Sequence, residues 1–287
     1  MMERPLVTVI CLCYNHERFV AEAIRSVLNQ TYRNVQLIVV DDASTDNSVN
    51  VIKTAIASNP GVRFISLPEN LGNCAAFNRG LAQAEGLFII DLAADDLLMP
   101  DRIEVGVKTL LEKGAKFGVH FSDAEIIDEY GAHLYNHSDR FPHQTIPQGD
   151  VYREITSRYF ICPPTVMFMR QVADVLGGYD ETLSYEDFDF WVRSSRAFHY
   201  AYSPQILVQK RVFKGTLGSR QFRLFSPHSR STLKICEKIL RLNNTAEERQ
   251  ALHKRIVYEI GLNLRLLNWV TAIKFFVLMI RNQRKKY

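Results

Sequence analysis

Three acidic clusters carry the chemistry this chain could do: Asp41-Asp42, Asp95-Asp96, and Glu186-Asp187 with Asp189 close behind. The first two follow apolar runs of strand length, at 35–40 and 87–92. Adjacent carboxylates in one crevice repel each other, and burial is costly unless a cation or a donor compensates. A divalent ion is the natural compensation, because Mg²⁺ or Mn²⁺ takes oxygen ligands and completes its shell with phosphates. Strand-end aspartates also cap helices; that reading covers Asp46 well, Asp41 in part, and the pair Asp95-Asp96 poorly. In the third cluster, Asp187 and Asp189 precede or open a helix, where the macrodipole favours a carboxylate. Capping accounts for one of them. Glu186 beside Asp187, bounded by Tyr185 and Phe188, has the surroundings of a carboxylate kept partly dry to act as a base.

Other nucleotide signals are missing. The chain has no GxGxxG after its first strand and no GxxxxGK[ST], so neither a Rossmann dehydrogenase nor a P-loop NTPase has direct support. Tyr14 could stack on a base while Asp42 accepts from a base imide or a ribose hydroxyl; an ordinary strand-end aromatic is the plainer account of Tyr14. His133, His137 and His143 share a polar stretch without metal-ligand spacing, and His16 is as well explained as a polar residue at a helix start. The five cysteines form no CxxC pair, which fits reduced thiols in a cytoplasm better than a disulfide framework or a zinc site.

The elements that must position these residues follow from periodicity. Apolar runs at 6–13, 35–40, 62–67 and 87–92 predict strands, and they alternate with helices. One helix carries Phe19, Ala23, Ile24 and Val27, one follows a cap at 44–46, one covers 73–84, and one begins after Pro100. Strands apolar along their whole length predict a parallel sheet covered on both faces, a doubly wound α/β unit. Beyond it the pattern predicts a strand at 117–127, an irregular connection at 128–150, a short strand at 166–169, a helix ended by Gly177-Gly178, a helix at 188–197 and an extended run at 200–212. From Pro227 the chain reads as helical to its end, with a break at 243–245 between two helices.

The 287 residues are 47% hydrophobic and 23% charged, a globular balance that excludes disorder and collagen-like repeats. No apolar run reaches the ~18–20 residues of a membrane span, and the N-terminus lacks a signal-peptide pattern. The net charge of +4 hides an asymmetry: residues 205–287 hold 18 Lys and Arg against four Asp and Glu. A tail this basic suits an anionic partner, or simply a solvated helical surface. No motif supports nucleic-acid binding.

The ordered series Val7-Thr8-Val9-Ile10…Tyr14-Asn15, Val39-Val40-Asp41-Asp42-Ala43-Ser44-Thr45-Asp46, Asn70-Leu71-Gly72…Asn78-Arg79-Gly80, Ala94-Asp95-Asp96…Pro100-Asp101-Arg102 and Gly177-Gly178-Tyr179-Asp180…Glu186-Asp187 resembles the family 2 inverting glycosyltransferases of GT-A fold. Each piece is weak alone; the set in order, over about residues 5–220, is specific. The resemblance implies an α/β GT-A domain at 1–225, a doubly wound mixed sheet with helices on both faces. Residues 1–115 would form its nucleotide-binding half and 116–225 its acceptor-binding half, with a basic helical extension at 226–287. It implies that Leu12, Cys13, Tyr14 and Asp42 hold base and ribose, with Gly72 and Asn78 lining that pocket. Asp95 and Asp96 match the family's metal- and diphosphate-binding motif, and Asp187, beside Glu186, matches the catalytic base. The implied reaction is a single displacement that moves sugar from a nucleotide-sugar to a hydroxyl of a glycan or lipid-linked acceptor. The donor would be a UDP-sugar first, with dTDP- and GDP-sugars as alternatives.

Two positions depart from the family pattern. Ala93 stands where an Asp often begins the acidic motif, and Phe213 stands where a His often adds a ligand. Metal geometry is then open, and Arg211 and Lys214 are candidates to supply positive charge to the diphosphate. The rival readings are an inactive relative that holds a nucleotide-sugar or glycan, and a nucleotidyltransferase, which residues 11–20, containing no glycine, disfavour. At the C-terminus, an apolar run from Trp269 to Ile280 is followed by Arg281, Arg284, Lys285 and Lys286. It suits a helix lying in an anionic membrane interface, for a cytoplasmic protein held peripherally at the membrane, or a helix packed on protein.

Overall fold

The computed structural model describes residues 4–142, 144–213 and 227–284, and these divide into two compact units. The first comprises residues up to 149 with 161–181 and 198–212; the second comprises 150–160, 182–197 and 213 onward.

The first unit is a nine-stranded mixed sheet with helices. In chain order it runs β1 (Val7–Cys13), α1 (Val20–Leu28), β2 (Val35–Asp41), α2 (Ser48–Ile56), β3 (Arg63–Ser66), α3 (Asn73–Leu81), β4 (Phe88–Ala93), β5 (Leu97–Leu98), α4 (Arg102–Lys113), β6 (Phe117–Ile127) and β7 (His133–Asn136). After a segment of the second unit it resumes with β8 (Met167–Met169), α6 (Arg170–Leu176) and β9 (His199–Arg211). Strand order is β3-β2-β1-β4-β8-β6-β9-β5, with β7 paired to β6. The strands β3, β2, β1 and β4 are mutually parallel, as their unbroken apolar character requires. All seven residues of β1 are buried, so it is the spine of the unit. Val20, Ala23, Ile24 and Val27 recur at helical spacing and bury one face of α1 on that core. Gly80 lets α3 approach β1: a Cβ there would stand 2.5 Å from Ile10 Cγ2.

Several expectations are corrected. The stretch 128–150, expected to be irregular, contains β7 and a 3₁₀ turn at His137–Arg140. The Asp128 carboxylate accepts from the N–H groups of Tyr130 and Ala132, and Gly131 at φ +88° closes the hairpin. The two-residue β5 is too short to leave a periodic signature. The cap of α2 expected at 44–46 is present, Asp46 Oδ1 accepting from Ser48 N at the helix start. Arg102, wholly buried, donates to Thr165 O at 2.6 Å, and burial lowers its pKa to about 9.

The second unit is helical: α5 (Tyr152–Ser157), α7 (Asp187–Ser194), α8 (Pro227–Leu242), α9 (Ala246–Arg265) and α10 (Trp269–Arg284). The expected break at 243–245 is a capping box, in which Thr245 accepts from Glu248 N and Glu248 reaches back to Thr245 N. A second break, not expected, separates α9 from α10. Leu267 adopts φ +54°, and Asn268 N reaches Asn263 O at 2.8 Å, an αL-type stop built on leucine instead of glycine. Inside the unit Arg255 lies between Tyr159 and Phe188, at 3.9 and 4.8 Å from their ring centres, and donates to Thr156 O. All five cysteines are buried and none forms a disulfide. Among the described residues, no helix is long and apolar enough to cross a membrane.

Candidate active site

Ligands of open α/β sheets sit at the carboxyl ends of the strands, and the residues after β1, β2 and β4 meet there. Two loops are stitched together first. Asn15 at φ +57° and Ala43 at φ +58° turn the chain sharply after β1 and β2. Asn15 Oδ1 accepts from Thr45 N at 2.7 Å, Asn15 N donates to Ser44 Oγ, His16 N to Ser48 Oγ, and Glu17 N to Asp46 Oδ2. This lattice holds Tyr14 at the surface, 43% exposed, beside the backbone of Leu12 and Cys13. The Cys13 thiol is pushed up to about 11 by burial, partly offset by hydrogen bonding from Ser48, so it stays protonated.

Asp42 joins this corner through its N–H, which donates to Cys13 O at 2.9 Å. Its carboxylate accepts from Leu71 N at 2.8 Å and from Gly72 N at 2.9 Å. It therefore anchors the third loop, where Gly72 at φ +83° leads into α3. A carboxylate offers about four acceptor positions, so both oxygens retain capacity beyond these two bonds.

Asp95 and Asp96 occupy the turn between β4 and β5, tied to β1 by Ala94 N donating to Leu12 O. Both are buried. Burial, then the adjacent Asp95 carboxylate, holds Asp96 well above the usual carboxylate range, with Lys210 and Arg211 opposing. Arg211 links β9 to the turn: its N–H donates to Asp96 Oδ1 at 2.8 Å and its Nε to Asp95 O at 3.1 Å. The rest of its guanidinium meets Glu22 at 2.9 Å and the Glu129 carbonyl, over the Phe19 ring. His16 Nε2 lies 4.0 Å from Asp95 Oδ2.

The donor set suits a hard divalent cation in one respect: two buried adjacent carboxylates, one resisting ionisation, are relieved by positive charge. Among the described residues no group of three His, Cys, Asp or Glu could hold a metal. The fit is thus to an ion bound by one or two carboxylates, with the remaining positions left to substrate and water, the Mg²⁺-like mode.

The remaining expected residues have contacts of their own. Asn78 clamps the segment after α6: its Oδ1 accepts from Tyr179 N, and its Nδ2 donates to Tyr179 O and Glu181. Tyr179 stacks on Phe77 at 4.1 Å and donates to Asp91. Glu186 and Asp187 belong to the helical unit, at the N-terminus of α7, where Phe190 N donates to Glu186 O. Burial above all, with the negative charge of Asp187 adding to it, raises the pKa of the Tyr159 and Tyr185 hydroxyls. The third carboxylate, Asp189, is paired with Arg193 and Lys238, each at 2.6 Å. Lys214 lies outside the described residues. Sequence reasoning missed the roles of Asn15, Ser44 and Ser48; Asn15's tolerance of left-handed backbone and the polar run after Asp42 were the available signals.

A mixed sheet of this order, with an acidic turn at the carboxyl end of β4, is the GT-A fold of the glycosyltransferases. The chain belongs to glycosyl transferase family 2, whose family model matches residues 8–177. It is 38% identical over 111 residues to an uncharacterized glycosyltransferase of Haemophilus influenzae, covering 39% of this chain and 44% of that relative. Among solved structures, S. aureus TarS 1-349 in complex with UDP superposes with a TM-score of 0.64 at 18% identity, covering 87% of this chain and 70% of that one. Mannosyltransferase PcManGT from Pyrobaculum calidifontis, in complex with GDP-Man and Mn²⁺, gives 0.64 at 16% identity, covering 100% and 89%.

Proposed function

We propose that this chain transfers a sugar from a nucleoside-diphosphate sugar to an acceptor hydroxyl by a single in-line displacement, inverting the anomeric carbon. The observation that carries the reading is the juxtaposition, in one unit, of the Tyr14–Asp42 corner with the buried pair Asp95-Asp96, both hung on β1. Tyr14 stacks on the base, and Asp42 receives a base or ribose donor on its remaining acceptor positions. Asp95 and Asp96 would hold Mn²⁺ or Mg²⁺, which when bound neutralises diphosphate charge. Arg211 holds the acidic turn in place through its backbone N–H and Nε. Asp187 takes the proton from the acceptor hydroxyl as that hydroxyl attacks, with Glu186 next to it. In this reading residues 1–115 serve the donor and 116–225 the acceptor, a glycan or a lipid-linked glycan. The donor nucleotide is a UDP-sugar first, a choice that the UDP complex of TarS supports and the GDP-Man complex of PcManGT leaves open to GDP. Unbridged thiols support a reducing, cytoplasmic setting.

Calorimetric titration with UDP, GDP and dTDP, each with Mn²⁺ and with EDTA, tests the donor side; one nucleotide should bind in a metal-dependent way, and failure of all three overturns the reading. For the base, Asp187→Asn should lower transfer by roughly 10²–10⁴-fold while nucleotide binding is retained. Near-normal transfer by that variant would remove Asp187 from the role.

A further inference from the structure

The helix α10 presents two faces of opposite destiny. Thr271, Ala272, Phe275, Leu278 and Asn282 are buried, and Asn282 Nδ2 donates to Arg249 O of α9, so that face is occupied within its own unit. On the other side Trp269, Val270, Ile273, Phe276 and Val277 are 58, 66, 63, 51 and 50% exposed. At 100° per residue these five fall on one continuous stripe diametrically opposite the buried set. Leu267, 55% exposed at the preceding turn, extends it. Such fractions leave on the order of 500 Å² of apolar side chain in water, at the upper end of what monomers expose and a mark of an interaction surface.

The charge around the stripe selects its occupant. Lys274 and Arg281 flank it along one side, and Arg284 stands at its end, all three exposed. After Glu259 the chain has no Asp or Glu and six Lys and Arg. The nearest acidic side chain among the ion pairs of this helix is Glu237, 3.8 Å from Arg281 and itself 43% exposed. A protein partner of ordinary surface would need no such one-signed rim. A helix of 16 residues is about 24 Å long, short of the ~30 Å hydrocarbon core, so it lies along an interface instead of crossing it. An apolar stripe with an aromatic end and a basic margin matches the headgroup–acyl boundary of an anionic bilayer.

We infer that α10 is a membrane-docking helix that seats the stripe from Trp269 to Val277 in an anionic lipid surface while its opposite face holds the helical unit together. The inference is independent of the catalytic reading, since it uses none of the proposed site residues.

Sedimentation of the full chain with vesicles of phosphatidylcholine mixed with phosphatidylglycerol, against vesicles of phosphatidylcholine alone, tests it. Binding to the anionic vesicles is expected, with a blue shift of Trp269 emission; Trp191, 4% exposed, contributes little change. The double variant Ile273→Ser, Phe276→Ser should lose binding at least tenfold, both positions facing away from the packed side. The variant Lys274→Gln, Arg284→Gln, which removes no apolar contact, should weaken binding about fivefold per charge at low salt. Unchanged circular dichroism of both variants secures their fold. Absence of binding to either vesicle overturns the inference, as does binding that neither variant alters. A dimer in sedimentation velocity that Ile273→Ser, Phe276→Ser dissolves, without vesicle binding, would assign the stripe to a second copy and overturn it equally.

Discussion

Asp42 and Asp96 both accept backbone N–H groups from distant segments, yet their surroundings differ. The Asp42 carboxylate meets two donors. Asp96 meets one, from Arg211, and carries Asp95 as its neighbour, which adds to the effect of burial in raising its pKa. The first carboxylate can serve as an anchor and a ligand together; the second is relieved by a cation. Asp96→Asn separates the two functions, because its amide oxygen still accepts from Arg211 while the charge is gone. Nucleotide affinity in Mn²⁺ should fall to the level measured in EDTA, with little change in melting temperature. Affinity in Mn²⁺ that stays well above the EDTA value would show that the cation does not bind through Asp96.

At the scale of elements, the helical unit holds a buried titratable carboxylate. Glu259 of α9 is pushed up to about 7 by burial, with Arg255 opposing at 3.6 Å. The unfolded chain releases this proton near the ordinary glutamate value of about 4.3, whereas the folded chain keeps it to about 7. Stability from this group is therefore full in acid and declines as pH rises through that window. In urea unfolding, the difference between pH 5 and pH 8 should be smaller for Glu259→Gln than for the natural chain. At pH 5 the folded chain holds Glu259 protonated and at pH 8 ionised against Arg255, so the variant removes a charge only at the higher pH; parallel slopes would return Glu259 to an ordinary pKa. Among the elements themselves, β1, β2, β4, β6 and the helix break before α9 were legible, since apolar period and helix-stopping residues are local. The left-handed turn at Leu267 was not, because leucine carries no preference for it. Nor was the hold of Arg211 on Asp95 and Asp96, which depends on pairing between β9 and β5 across more than a hundred residues. In the same way the clamp of Asn78 on Tyr179 joins positions 101 residues apart. Residue types disclosed the candidate chemistry; the contacts that position it are long-range and were hidden.

For the whole molecule, the division into a sheet unit and a helical unit sets an expectation for exchange of amide hydrogens. The nucleotide found by titration, with Mn²⁺, should slow exchange in residues 14–18, 43–47 and 70–72, where three loops share hydrogen bonds around Asp42. Residues 246–265 of α9 should exchange as before. Protection confined to α9 would move the nucleotide site out of the sheet unit. The thiols offer a different kind of reporter. Every cysteine is buried, and burial raises the pKa of Cys11, Cys13, Cys162 and Cys236. Folded protein is thus nearly silent to a thiol reagent, and each native cysteine becomes visible only when its own neighbourhood opens. Four sit in the sheet unit and Cys236 in the helical one, so the order in which they are labelled times the loosening of each unit separately. A cysteine placed at an exposed position such as Val270 would be the one fast-reacting group, a ready attachment point for a dye or spin label.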